Sequence, residues 1–157
     1  MGNSKTCAFF GHRNVTDTDN IGKKLYELIK NLIVYEDFSV FLFGSFGDFD
    51  DICYHTVSLL KQQFPHIKRI LYVVNDYYLK KYQLKNNNGI LYEDVVYPNL
   101  EFDFWYTRIY YRNCYMIDIS DFIVFYANDN MESGAYKALK YAVKTKKTFV
   151  NLINADI

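Results

Sequence analysis

Residues 7–17, CAFFGHRNVTD, decide how the chain is read: an apolar run, Cys7 to Phe10, passes straight into Gly11, His12 and Arg13. A short continuous apolar run bounded by a turn is the pattern of a strand buried on both faces. After the turn comes IGKKLYELIKNLIVYE, residues 21–36, in which Ile21, Leu25, Leu28, Ile29 and Leu32 recur at helical spacing. The order is strand, loop, helix, with Thr16 or Asp17 placed to offer an N-cap oxygen to the first-turn amides. The unit then repeats. Residues 39–43 form a second β-rich run, a glycine turn follows, and acidic residues open a helix through Ile52, Val57, Leu60 and Phe64 that Pro65 ends. Residues 67–74, IKRILYVV, predict a third buried strand.

The second half continues the pattern after a less regular middle. Residues 75–103 read as a loop-rich connection with an Asn-rich turn at 86–89, a short strand within 90–97, and Pro98. An aromatic-rich helix is expected over 104–119, a strand over 121–127, a polar turn from Asn128 to Gly134, a helix over 135–146 and a last strand over 148–153. Strands separated by helices of this length imply parallel pairing through right-handed crossovers. The expected fold is therefore α/β: a three-layer α/β/α Rossmann-like single domain over residues 1–157 with a mostly parallel sheet, a length that suits one domain.

Composition narrows the function. Lysine plus arginine equals aspartate plus glutamate at 18 each, so no global charge draws the chain toward nucleic acid or membrane. Cys7, Cys53 and Cys114 are few, odd in number and lack a CxxC spacing, which suits a reducing, cytoplasmic setting and buried thiols. No apolar run approaches the roughly 18 residues of a membrane span, and the first residues lack a signal-peptide layout. Met1-Gly2-Asn3-Ser4-Lys5-Thr6 satisfies a short acylation pattern at Gly2, against the plainer reading of a terminal segment before the first strand.

In an open parallel sheet, ligands collect at the carboxyl ends of the strands, where loops enter helix N-termini. Three glycine-bearing polar loops occupy those positions here: Gly11-His12-Arg13-Asn14, Gly44 to Asp50, and Asn128 to Gly134. Gly11 and Gly44 would admit close backbone approach to a ligand. Arg13 could fork onto a phosphate or carboxylate, and Asp50 could cap the second helix or accept from a ribose hydroxyl. Turn chemistry alone also explains the glycines, and helix-dipole complementation explains Asp48, Asp50 and Asp51. Helical spacing puts Arg108, Arg112 and Tyr115 on one face, suited either to an anion or, for Arg108 especially, to a solvated pairing with Glu101 or Asp103. Trp105, Tyr106, Ile109, Tyr110 and Met116 read as core or subunit interface, and the aromatic content of 19% is compatible with a homo-oligomer.

Taken together, AFFGHR, GSFGDFD in a G-x-x-G-x-x-D arrangement, YRNCYMIDISDFIVFY and SGAYKALKYA, in that order, resemble the SLOG superfamily of Rossmann-like domains. The resemblance spans nearly the whole chain and is nearest the YpsA-like branch (the DUF1273 group), with the DprA and LOG proteins further off. It implies a pocket for a nucleotide or nucleotide-derived molecule formed by Gly11, His12, Arg13, Gly44, Ser45, Gly47, Asp50, Arg112, Asn113, Ser133 and Gly134, with Glu132 beside them.

One departure bears on catalysis. LOG-type phosphoribohydrolases resemble P-G-G-x-G-T-x-x-E, and here Ala135 and Ala138 stand at the threonine and glutamate positions. The carboxylate that would serve cleavage of an N-glycosidic bond is missing there, leaving Asp118 or Glu132 as substitutes. The expectation is binding or sensing of a nucleotide-like small molecule. The alternatives are an enzyme acting on an N-glycosidic bond and a DprA-like binder of single-stranded DNA, the latter disfavoured by the neutral charge. His12, His55 and His66 have no metal-ligand spacing, and no cofactor-binding fingerprint is present, so neither metal nor cofactor is expected.

Overall fold

Side-chain alternation along the first strand, β1 (Lys5–Gly11), fixes the two faces of the sheet in the computed structural model, which describes residues 4–44, 46–101, 104–130 and 132–153. Cys7 and Phe9 point into one core, and Ala8 and Phe10 into the other, as the two-residue period of a strand requires. Both faces are buried, so β1 has no polar side between Cys7 and Phe10, which is why its sequence reads as an unbroken apolar run.

The remaining elements are α1 (Thr18–Glu36), β2 (Phe38–Phe43), α2 (Asp48–Gln63), β3 (Lys68–Tyr72), α3 (Asp76–Asn86) and β4 (Asp94–Val96). A 3-10 turn (Trp105–Thr107) leads into α4 (Arg108–Asp118), β5 (Phe122–Tyr126), α5 (Gly134–Lys144) and β6 (Phe149–Asn151). The six strands lie in the order β4-β3-β2-β1-β5-β6, and every pair is parallel. The first four strands run outward from β1 in one direction and β5 and β6 in the other. The switch point is thus the crevice between β1 and β5, where Phe10 pairs with Phe125 and Gly11 with Tyr126.

Helices α1 and α2 cover the Cys7/Phe9 face with Leu25, Ile29, Phe49, Cys53, Val57 and Leu60. Helices α4 and α5 cover the other face with Met116, Ile117, Ala138 and Ala142. Each fully buried large side chain contributes about 1.5–3 kcal/mol. At the sheet edge, Arg69 donates from Nε and Nη2 to Glu93 at 3.0 and 2.8 Å, tying β3 to the segment entering β4. Burial opposes ionisation of Glu93, but the hydrogen bonds and charge of Arg69 hold its carboxyl below the usual range.

Several expectations are corrected. Residues 76–86, read as loop, form α3, capped by Asn75, whose side chain accepts from the Tyr78 amide at 2.9 Å. None of its residues is fully buried; Tyr78, Leu79 and Tyr82 only lean on the core, so the apolar stripe that signals a helix is faint. Helix α1 begins at Thr18, three residues before the apolar pattern, and Asp17 occupies the N-cap in a left-handed conformation (φ 56°) without a side-chain cap bond. The helix expected from 104 is a 3-10 turn before it becomes α4; of the residues read as core or subunit interface, Met116 is in the core, whereas Trp105, Tyr106, Ile109 and Tyr110 are exposed. All three cysteines are buried and unbridged. His55 and His66 are exposed. Among the described residues no helix is long and apolar enough to cross a membrane. The acylation pattern at Gly2 lies outside the described residues.

Candidate functional site

The carboxyl end of β1 opens into a cavity of about 760 Å³ lined from five directions. The β1–α1 loop gives Gly11, His12, Arg13 and Asn14; the turn after β2 gives Gly44 and Phe46; the end of β3 and the start of α3 give Val73, Val74 and Tyr78. Helix α4 gives Ile109, Arg112 and Asn113, and the N-terminus of α5 gives Ser133, Gly134 and Ala135. The cavity covers the β1/β5 crevice, where such sheets bind ligands.

His12 is the latch of this site. Its amide donates to Tyr126 O at 3.1 Å, and its ring Nε2 accepts from the Asn128 amide at 2.6 Å. A backbone N–H can only donate, so Nε2 carries a lone pair and the ring proton sits on Nδ1, 3.4 Å from Ser133 Oγ. Desolvation holds the imidazole below its ordinary pKa, in keeping with this neutral form. His12 therefore ties the loop after β5 to β1 and is not the positive charge that meets an anion.

Positive charge comes from two arginines of unlike character. Arg13 is exposed at the mouth, and among the described residues its guanidinium has no hydrogen-bond partner. Arg112 is only 5% exposed, in the second turn of α4. It donates from Nη1 to the carbonyls of Gly44 and, at 3.4 Å, Tyr72, and from Nε and Nη2 to Asn113 Oδ1 at 3.2 and 2.9 Å. It thus pins α4 to the ends of β2 and β3. Burial lowers its pKa to about 10, so it stays protonated at neutral pH, and the charge facing it is Asp50. The Asp50 carboxyl is buried in the first turn of α2, and neither oxygen has a hydrogen-bond partner among the described residues. Its pKa is pushed up to about 7 by that burial, against the pull of Arg112.

The α5 N-terminus supplies uncharged anion-binding groups. Ser133 Oγ caps the helix by accepting from the Tyr136 amide at 3.1 Å. Among the described residues the amides of Gly134 and Ala135 have no partner, and nothing lies within 4 Å of where a Gly134 side chain would start. Free first-turn amides at a helix N-terminus are a ready anion site. Opposite them stands an aromatic wall: Phe46 packs on Tyr78 at 6.3 Å and lies nearly parallel to Tyr82 at 6.0 Å.

Eight of the sequence-predicted residues line this cavity: Gly11, His12, Arg13, Gly44, Arg112, Asn113, Ser133 and Gly134. Gly47 and Asp50 stand behind the lining, and Ser45 lies outside the described residues. Glu132 is turned to solvent, paired with Lys140 at 3.0 Å, and Asp118 accepts from Tyr141 Oη on another side of the molecule. Three of the glycines are also required by protein packing. A Cβ on Gly11 would fall 2.2 Å from the Phe49 ring, and one on Gly44 would fall 2.8 Å from Met116 Sδ. Gly47 has φ 148°, and its Cβ would meet the Arg13 backbone at 2.7 Å. That contact is sealed by the Asp48 amide donating to Arg13 O at 2.8 Å and the Val15 amide donating to Asp48 Oδ2 at 3.0 Å. The glycines let the walls of the site pack on one another. Sequence reading missed Phe46, Tyr78, Val73 and Val74; the apolar end of residues 67–74 was the available signal.

Among the described residues no cluster of His, Cys, Asp or Glu could hold a metal ion. No protein-family model matches the sequence, and no curated protein matches it. Among solved structures, the chain is similar to the Moco carrier protein of Chlamydomonas rheinhardtii, with a TM-score of 0.53 and 15% sequence identity, over 96% of this chain and 76% of that one. At that identity the likeness speaks to architecture, and what the two chains share is a three-layer α/β/α Rossmann-like fold around a parallel sheet.

Proposed function

We propose that this protein binds a nucleotide or nucleotide-derived small molecule at the carboxyl edge of its sheet, as the SLOG resemblance implies, and holds it without cleaving it. One observation carries the reading: free α5 amides, Arg13, Arg112 and an apolar-aromatic wall converge on one cavity, and no carboxylate lines it among the described residues. An anionic group would sit at Gly134 and Ala135, with Arg13 closing over it. A planar, less polar portion would lie toward Phe46, Tyr78 and Val74. Cleavage of an N-glycosidic bond needs a carboxylate beside the developing cation, and the position on α5 suited to it holds Ala138, which is 1% exposed and part of the core. A DprA-like grip on single-stranded DNA would call for a basic groove, whereas Arg13 is the only exposed basic residue in the lining among the described residues.

Calorimetry against nucleoside monophosphates, cyclic nucleotides and ADP-ribose derivatives tests the reading. Binding of at least one, weakened roughly tenfold by Arg13→Ala, is expected, since a charge-assisted hydrogen bond is lost. No binding by any of these, or wild-type affinity in Arg13→Ala, would refute it.

A further inference from the structure

A second concavity, of about 310 Å³, lies between α4, α5 and the segment that precedes residue 102, and shares no residue with the first. Four tyrosines line it: Tyr110, Tyr111 and Tyr115 of α4, and Tyr141 of α5; Asp118 and Glu101 are the charged groups, and no basic residue lines it among the described residues. We propose that this concavity is a binding site for a small alkylated ammonium ion.

Ring geometry supports a cage. The Tyr110 ring stands at 65° to Tyr111 with centroids 5.7 Å apart, and at 78° to Tyr141 with centroids 6.4 Å apart, so two rings packed steeply against a third line the concavity. Tyr115 leans inward on Tyr72 at 5.9 Å, which anchors it to the core. The Tyr141 hydroxyl donates to Asp118 Oδ1 at 2.7 Å, which fixes the ring and keeps one carboxylate at the rim. That bond, with burial, raises the Tyr141 pKa, so the ring is a neutral phenol at physiological pH. The adjacent Lys147 ammonium is spent on the carbonyls of Asp118 and Ser120, at 2.9 and 3.2 Å.

Aromatic faces carry negative potential and attract cations, most effectively cations that shed water easily. A sodium or magnesium ion would need several oxygen ligands to replace its hydration shell, and two carboxylates on separate segments do not provide them. A trimethylammonium group is weakly hydrated, fits a space of this size and gains from both the rings and the net negative rim. Occupancy here is independent of the nucleotide-like ligand proposed above.

The test uses tetramethylammonium and choline, followed by the NMR shift of their methyl protons in the presence of the whole protein. Saturable upfield shifts are expected, because ring currents act on methyls held over tyrosine faces. The neutral carbon isostere of choline, 3,3-dimethyl-1-butanol, should bind roughly tenfold more weakly or worse, and Tyr110→Leu and Asp118→Asn should each weaken choline by roughly fivefold while circular dichroism stays unchanged. Equal binding of the neutral alcohol would reduce the feature to an apolar groove and overturn the proposal. So would the absence of any saturable shift, or wild-type affinity in both variants.

Discussion

Replacing Asp50 with asparagine should make this protein more stable, by an amount that grows from about pH 4 to about pH 7. The carboxyl is 5% exposed, has no hydrogen-bond partner among the described residues, and is raised from 3.8 to about 7 by burial, with Arg112 opposing the shift. The unfolded chain releases this proton near pH 4, and the folded chain holds it to about pH 7. Between those values the folded state binds more protons, so stability falls as pH rises and the whole loss is in place above pH 7. At about 1.4 kcal/mol per pH unit, the loss amounts to about 4 kcal/mol. Asparagine copies the protonated carboxyl in shape and charge and removes this dependence. Urea denaturation of both proteins at intervals from pH 4 to 8 should show near-equal stability at the acid end and Asp50→Asn ahead by about 4 kcal/mol at the alkaline end. The attraction of Arg112 for the ionised carboxylate is already contained in the shift, so no separate correction applies. If Asp50→Asn is less stable than the wild type at pH 8, the ionised carboxylate is a stabilising partner of Arg112 and the reasoning fails.

Two further outcomes follow from the site. Gly11→Ala should cost about 3 kcal/mol, because its Cβ would lie 2.2 Å from the Phe49 ring, and Phe49→Ala should reduce that penalty in the double variant. Additive effects in a thermal or urea double-mutant cycle would show that Gly11 is not there for Phe49. Lowering the pH through the His12 pKa should protonate Nε2 and remove the acceptor for the Asn128 amide. Because the folded pKa is depressed, the stabilisation is present above the ordinary value of 6.5 and is lost as pH falls through the folded one. Hydrogen exchange at Asn128, corrected for intrinsic rate, should accelerate in that window in the wild type and show no such step in His12→Gln.

The fold was legible where burial was strong on one side or both. β1, β2 and β5 are apolar runs because they are central, and α1 and α5 carry clear stripes because each lies on a hydrophobic face. α3 was invisible because it docks through the edges of three side chains and is held by the Asn75 cap and a surface Lys80–Asp76 pair. The site was legible in its loop residues, which punctuate the sequence with glycine and charge. Its aromatic wall was not, since Phe46 and Tyr78 lie 32 positions apart and meet only because β3 places α3 beside the turn after β2.

The roles of these loop residues were less legible than their positions. Gly11, Gly44 and Gly47 sit where ligand-approach glycines would sit, yet each is occupied by protein: the Phe49 ring, Met116 with Arg112, and the Arg13 backbone. His12 spends its lone pair on Asn128, and Arg112 spends donors on strand-end carbonyls. The chemically equipped residues His12 and Arg112 are committed to holding the loops around the cavity in register. Among the donors left uncommitted in the described residues are Arg13 and the amides of Gly134 and Ala135, all in the lining of one cavity. That division of labour suits retention: a rigid frame with a few free donors lowers the ordering cost of binding an anion.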